Sequence, residues 1–338
     1  MIRFGRIGIL AGILAGVVAC STQRDASKQL QIVKVARSAF LTNAPIMLGD
    51  AEGYFAQEGI RIDYVDQPNN SVQTLPGLDH GDVDVVAAAI SIGLVNAVAV
   101  GASIRIVADR GYLEPSGCEA FGIVGRRSLF GDKTVTAEML KGVRVATNPV
   151  GQSGYLAELY LRRYGLTLKD VKVVRLPASA EGQAMDDGAV DLVARGDPFL
   201  FGLKQRGHRV LARAEELSPG THLAVLVYGP SLLVRDRELG LRFMRAYLRS
   251  VRKYQEGHTP HNIAVISSAL KLDSSDVAKM CWPTTREDGA INLASLSDYQ
   301  KWAVGTGEFS NLVEPENLVD MEFAAKAWET IKSERATR

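Results

Sequence analysis

The chain repeats itself. Gly81-Asp82-Val83-Asp84-Val85-Val86-Ala87 returns 107 positions later as Gly188-Ala189-Val190-Asp191-Leu192-Val193-Ala194. The upstream segments match too: Val33-Lys34-Val35-Ala36 opens the first copy and Val143-Arg144-Val145-Ala146 the second. Each continues through a polar loop and a helix-like stretch ending in Gly59-Ile60 or Gly165-Leu166. A repeat this long exceeds the periods of solenoids. It implies two similar lobes, and the cleft between two lobes is a favoured place for a small ligand.

Within each copy, short β-branched runs bounded by turn residues read as strands. In the first they are Val33 to Arg37, Arg61 to Asp66, Val83 to Ala88 and Ile104 to Asp109. In the second they are Val143 to Ala146, Val171 to Arg175, Val190 to Ala194 and Arg209 to Ala212, with helices over Gly154 to Tyr164 and Ala180 to Asp187. Leu223 to Tyr228 is an apolar run expected to lead back to the first lobe. Strands alternating with helices give an α/β fold, two similar lobes each built on a mixed sheet flanked by helices. From Asp236 onward the pattern is helical and has no repeat partner, so this tail is expected to pack on the first lobe. Its basic residues, Arg237 to Lys253, read as a solvated helix face.

The N-terminus reads as a targeting segment. Arg3 and Arg6 precede a short uncharged stretch, Ile7 to Val18, which ends at Ala19-Cys20. The stretch is too short to span a bilayer, which takes about 20 residues. Small residues before a cysteine resemble a bacterial lipoprotein signal, with cleavage before Cys20 and lipid on its thiol; the alternative is an ordinary signal peptide. Residues 1–19 are thus a signal peptide and 20–30 a lipidated tether. Losing Arg3 and Arg6 lowers the 39 basic residues to 37 against 38 acidic, a net charge of −1 that offers no electrostatic case for nucleic acid. Cys118 and Cys281 remain, and an exported compartment permits a bridge between them, with two buried thiols as the alternative.

In open α/β sheets ligands sit beyond the carboxyl ends of strands, where helix N-termini offer free N–H groups. The repeat then places four loops at one site: Ser38 to Ala44, Ala89 to Ser91, Thr147 to Gly154, and Arg195 to Phe199. The candidate ligand-binding residues are Phe40, Thr42, Asn43, Ser91, Arg110, Gln152, Ser153, Arg195, Asp197, Phe199 and Tyr228. Each has a plainer reading. Ser153 and Ser91 could cap helices, Arg195 and Asp197 could pair with each other, and the three aromatics could be core.

Catalytic constellations are poor. Gly151-Gln152-Ser153-Gly154-Tyr155 lacks the last glycine of a nucleophile elbow, and nothing links His222 to Ser153. His258 and His261 have helical spacing, but Pro260 lies between them and no third metal ligand is evident. No metal and no cofactor is expected.

Gly53-Tyr54-Phe55-Ala56-Gln57-Glu58-Gly59-Ile60, preceded by Pro45, resembles the first-helix signature of type II periplasmic binding proteins, in the branch for nitrate, sulfonates, taurine and thiamine-pyrimidine precursors. Gly81 to Val85, Leu140 to Ala146, Asp197-Pro198-Phe199 and Trp302 to Val319 also fit that family. The resemblance implies a lipid-anchored, monomeric receptor in the periplasm or cell envelope that feeds an ABC permease in the inner membrane. It implies one lobe from residues 31–121 and 226–338, a second from 122–225, and a two-strand hinge near Gly122 to Gly125 and Leu223 to Tyr228. Asp197 beside Arg195 departs from the pattern and argues against purely anionic ligands. An enzyme on the same fold acting on a small cyclic or aromatic acid, and a sensor with a degenerate cleft, are the alternatives.

Overall fold

The computed structural model describes Met1 and residues 30–66, 71–307 and 312–336. The signal segment after Met1, Cys20 and all of the tether except Leu30 lie outside the described residues. Ten strands are found among the described ones: β1 (Gln31–Arg37), β2 (Ile60–Asp66), β3 (Val85–Ala88), β4 (Arg105–Asp109), β5 (Phe121–Gly125), β6 (Arg144–Ala146), β7 (Lys172–Val174), β8 (Leu192–Gly196), β9 (Arg209–Arg213) and β10 (Val225–Tyr228). They form two five-stranded sheets, ordered β2-β1-β3-β10-β4 and β7-β6-β8-β5-β9. The sheets are the same object built twice. In each, the first three strands are parallel and the fourth runs against its neighbours. Even the irregularity repeats: the fourth strand slips register at Leu226/Val227 in one sheet and at Ile123/Val124 in the other. All four residues of β3 are buried, as expected for a strand covered on both faces.

The repeated aspartate explains why the motif recurs. Asp84 accepts the amide of Lys34 at 2.8 Å through its side chain, and its own amide donates to the Lys34 carbonyl. Asp191 does the same with Arg144, accepting its amide at 3.0 Å. In both lobes a carboxylate therefore completes the ladder where the third strand enters beside the first. The preceding glycines, Gly81 and Gly188, have φ of +86° and +71°. That left-handed conformation ends each helix, and only glycine adopts it freely.

The strands expected to act as the hinge, Gly122–Gly125 and Leu223–Tyr228, are divided between the sheets: β5 belongs to the second and β10 to the first. The crossing is made by the residues just before them. Arg110 to Leu113 and Gly220 to Ala224 run antiparallel, joined by Arg110 N to Ala224 O, Leu223 N to Gly111 O, Leu113 N to Thr221 O and Gly220 N to Leu113 O.

The tail follows its expected course in part. The 19-residue helix Arg237–Gln255 buries Leu239, Phe243, Met244, Tyr247 and Val251 against the first sheet, with Phe323 and Ile331 of the last helix. Its arginines are not simply solvated. Arg245 and Arg249 both bind Glu58, at 2.9 and 2.7 Å, and Arg249 also binds Glu334 at 2.8 Å. The helix Leu293–Gly305 departs from the expectation, because it also reaches the second lobe. Tyr299 and Trp302 pack on Tyr155, and the Tyr299 hydroxyl donates to Val150 O. Cys118 and Cys281 form a disulfide that ties the link between the first crossing segment and β5 to this tail.

The two aspartates differ in one respect that predicts an experiment. Asp191 also holds the guanidinium groups of Arg126 and Arg144, whereas Asp84 accepts only its backbone partner among the bonds described. Asp84→Ala is expected to cost about 1–2 kcal/mol, the loss of one backbone contact. Asp191→Ala is expected to cost roughly 2–4 kcal/mol, since it also strands two half-buried cations. Urea denaturation measures both, and equal losses would refute the added contribution of the arginines.

Candidate functional site

The carboxyl ends of β1 and β3 and those of β6 and β8 face one another across a cavity of about 170 Å³. All four loops singled out from the repeat line it. Ser38, Phe40, Thr42, Ala89, Ile90 and Ser91 come from the first lobe, and Asn148, Gly151, Gln152, Ser153, Arg195, Gly196 and Asp197 from the second. The lobes touch at its rim. Ser91 and Gly151 form a β-bridge, Ile92 N donates to Val150 O at 3.1 Å, and Phe40 meets Phe199 edge-on at 5.3 Å.

Two helices begin here, Ile92–Ala99 from the first lobe and Gln152–Arg162 from the second. The Ser91 hydroxyl caps the former by accepting Leu94 N at 3.3 Å. Ser153 turns inward on its own loop: its Oγ accepts from Thr147 Oγ1 at 2.9 Å and from Asn148 N at 3.1 Å. Its role is to fix the loop that presents Asn148 and Gly151. Gln152 donates its amide to the carbonyl of His222, which ties this helix to the second crossing segment.

Arg110 is 2% exposed. Its Nη1 donates to Thr42 Oγ1 at 2.8 Å and to Asn43 Oδ1 at 2.9 Å, while Nη2 makes a long 3.4 Å contact to Ala88 O. Nε has no partner. Burial pulls its pKa down to about 10, against the opposing influence of Tyr247 and Asp109. Asn43 also donates to Ser38 O at 2.6 Å, so it stands behind Arg110 as a support and does not itself line the cavity.

Arg195 and Asp197 do not pair with each other. Arg195 makes a two-point ion pair with the buried Glu181, at 2.8 and 2.6 Å. Asp197 spends both oxygens on backbone amides, Oδ1 on Phe201 N at 2.7 Å and Oδ2 on Cys281 N at 2.9 Å. The second contact is between the second lobe and the tail. Burial pushes the Asp197 carboxyl up to about 6, with the two amides and Lys204 pulling it back and Glu119 adding to the rise. The Asp197–Pro198 peptide is cis. The end of β8 separates them: Arg195 lies inside the strand and meets Glu181 on the helix Ala178–Asp186, while Asp197 lies past the strand's last residue, Gly196, and turns toward the tail.

Two of the aromatic candidates stand elsewhere. Tyr228 is core, packed on Phe243 and Phe323 with its hydroxyl donating to Gly240 O at 3.0 Å. Alternation along β10 turns it to the helix face of the sheet. Phe199 sits at the rim against Phe40 and outside the cavity wall. Ala120, Phe121, Leu223, Ala224 and Pro283 complete the wall and escaped the sequence reading. Ala120 and Phe121 follow the first crossing segment, and Leu223 and Ala224 lie in the second. Pro283 follows Cys281, so a sequence reading that joined Cys281 to Cys118 would have brought it here.

The three histidines weighed as catalytic or metal candidates are engaged away from Ser153. His222 Nε2 accepts Asn292 N at 2.7 Å, which places its proton on Nδ1, facing Asp109 at 2.7 Å. His258 faces Met280 O and His261 faces Glu52.

The arrangement suits reversible capture: walls from two lobes, polar groups held in place by neighbours, and apolar surface from Phe40, Ile90, Phe121, Leu223 and Pro283. No functionally curated protein matches the sequence. Among solved structures, the ligand-binding component of an ABC-type import system from Staphylococcus aureus, with zinc bound, aligns at TM-score 0.73 and 15% identity, over 88% of this chain and 99% of that one. The periplasmic nitrate-binding protein NrtA from Synechocystis PCC 6803 aligns at 0.74 and 11% identity, over 90% of each chain. The periplasmic aliphatic sulphonate binding protein SsuA from Escherichia coli aligns at 0.68 and 18% identity, over 86% and 92%. The fold is that of type II periplasmic binding proteins. A family model described as NMT1/THI5 like matches residues 42–256, more than half of the chain, and the protein belongs to that family.

Proposed function

We propose that this protein is a solute-binding lipoprotein outside the cytoplasm, which captures a small organic ligand between its lobes and delivers it to an ABC importer. The observation that carries this reading is the origin of the cavity wall. Equivalent loops of two repeated lobes supply it, so a ligand held there touches both lobes and favours their closure. The matched structures whose printed names describe an import component and binding proteins for nitrate and aliphatic sulphonates support it. The lobes correspond to residues 31–121 with 226–338 and to residues 122–225. The protein acts as a monomer held to a membrane through lipid on Cys20.

A second reading, an enzyme on this fold, is favoured by one comparison. The desulfurization enzyme DSZB aligns at TM-score 0.62 and 14% identity, over 89% of this chain and 99% of that one. Against it, the hydroxyl of Ser153 accepts from Thr147 and Asn148, and His222 is committed to Asp109 and Asn292.

Binding to the native state raises apparent stability as RT ln(1 + [L]/Kd). A thermal-shift screen of the full chain in detergent, against nitrate, sulfonates, pyrimidines, carboxylates and long-chain lipids, should give a shift with one class of small solute. Turnover of that solute would transfer the assignment to the enzyme. Cys20→Ala should move the protein from the membrane fraction to the soluble one, and its retention in membranes would contradict the anchor.

Asp197 gives a pH signature. Its folded-state carboxyl, at about 6, lies above the ordinary 3.8. Between these values the folded protein holds the proton more tightly than the unfolded chain, so this group's contribution falls as pH rises from about 4 to 6. The loss is about 3 kcal/mol at most and is complete above that window. Asp197→Asn, which keeps one amide contact, should flatten the stability profile over this range relative to the unaltered protein. Parallel profiles in denaturation experiments at pH 4.5 and 7 would count against the assignment.

A further inference from the structure

We infer that Asn148 reads the ligand, and that the ligand is an uncharged carbonyl compound with an apolar body. This rests on the solute-receptor reading and names its ligand class.

The charged side chains in the cavity wall are already committed to protein groups. Arg195 is held by Glu181 at 2.8 and 2.6 Å. Asp197 accepts two backbone amides, from Phe201 and Cys281. Arg110 gives its Nη1 protons to Thr42 and Asn43 and reaches Ala88 O through Nη2, while its Nε is sealed from solvent. Arg110 and Arg195 stand against Asp197 and Glu181, so these groups sum to no formal charge. A charged ligand would leave its hydration behind and find no free opposite charge to replace it.

Asn148 is differently placed. Its loop holds it at three points: Asn148 N donates to Ser153 Oγ at 3.1 Å, Asn148 O accepts Gly151 N at 3.0 Å, and Asn148 Oδ1 accepts Val150 N at 3.3 Å. The last contact settles which way the amide points. With its oxygen turned to Val150, the end left over is Nδ2, which carries two donors and can accept nothing. Nδ2 makes no hydrogen bond among the described residues, and Asn148 is a half-buried part of the cavity wall. Gly151 gives this amide its room, because a Cβ there would stand 2.7 Å from Nδ2. The loop therefore fixes a donor that the protein does not use. A ligand carbonyl oxygen accepts from such a donor and brings no charge with it.

The rest of the wall agrees with an apolar body, since Phe40, Ile90, Phe121, Leu223 and Pro283 line it. The opposing pull comes from the helices Ile92–Ala99 and Gln152–Arg162, whose N-termini would favour an anion. The first of these is partly spent, on Ser91 Oγ and Val150 O. The matched acid is thus the competitor that decides.

The test uses the full chain in detergent and calorimetric titration with three bodies, isopropyl, cyclohexyl and phenyl. Each is presented as its carboxamide, methyl ketone, carboxylate and aminomethyl compound. At least one body should bind as carboxamide or ketone tenfold or more tightly than as carboxylate or ammonium. Asn148→Asp, which keeps the acceptor for Val150 N and loses both donors, should weaken that carbonyl probe at least fivefold. A carboxylate or ammonium that equals its carbonyl counterpart overturns the inference and leaves the receptor reading standing, as does carbonyl affinity unchanged in Asn148→Asp. Silence from all of these probes also overturns it, and silence from the wider solute screen as well overturns the receptor reading with it. Should Asn148→Asp fail to fold, the ratio between matched probes on the unaltered chain decides alone.

Discussion

A single buried carboxylate, that of Asp109, holds the junction on which everything else hangs. It is fully shielded from solvent and gathers three strands of chain. Gly111 N belongs to the first crossing segment, His222 Nδ1 to the second, and Arg286 N to the tail. The backbone carbonyl of the same residue takes the Tyr247 hydroxyl of the long helix at 2.7 Å. A buried carboxylate is costly unless hydrogen-bonded, and these contacts hold the three segments at one point. The next residue, Arg110, is one of two cations that line the cavity. Placing it there is thus a consequence of how the lobes are joined.

The same logic runs through the site. Its polar groups are held by protein before any ligand arrives: Ser153 by Thr147 and Asn148, Gln152 by His222, Asp197 by Phe201 and Cys281, Arg195 by Glu181. Prior fixing of this kind lowers the entropic cost of binding. Asp197 has a further consequence. It adds a second link between the second lobe and the tail, beside the packing of Tyr299 and Trp302 on Tyr155, close to the disulfide at Cys281. One carboxylate thus joins the second lobe to the segment at Cys281.

Much of this was legible in the sequence. The repeat alone marks the two lobes, because the Gly-x-x-Asp pattern at 81–84 and 188–191 reflects a local requirement: a left-handed helix end and a carboxylate that meets the neighbouring strand. Local requirements leave local signals. The four loops at the strand ends follow from topology and were placed correctly as neighbours. What each side chain does there was not legible. Whether Arg195 meets Asp197 or Glu181 depends on which way a helix ten or more positions upstream presents its acid, and Tyr228 faces core or cleft according to the pleat of a strand that returns to the first sheet after a whole lobe has intervened.

The amino-acid sequence by itself determined the repeated α/β units, the loops at their strand ends and the apolar stripe of the long helix, since periodicity and turn chemistry act over a few residues. Only the tertiary structure decided the crossing through 110–113 and 220–224, the joining of Cys118 to Cys281, and the tail's reach to the second lobe. These depend on contacts between residues 100 or more positions apart, where the partner of a charge or a thiol is set by packing and not by its neighbours in the chain.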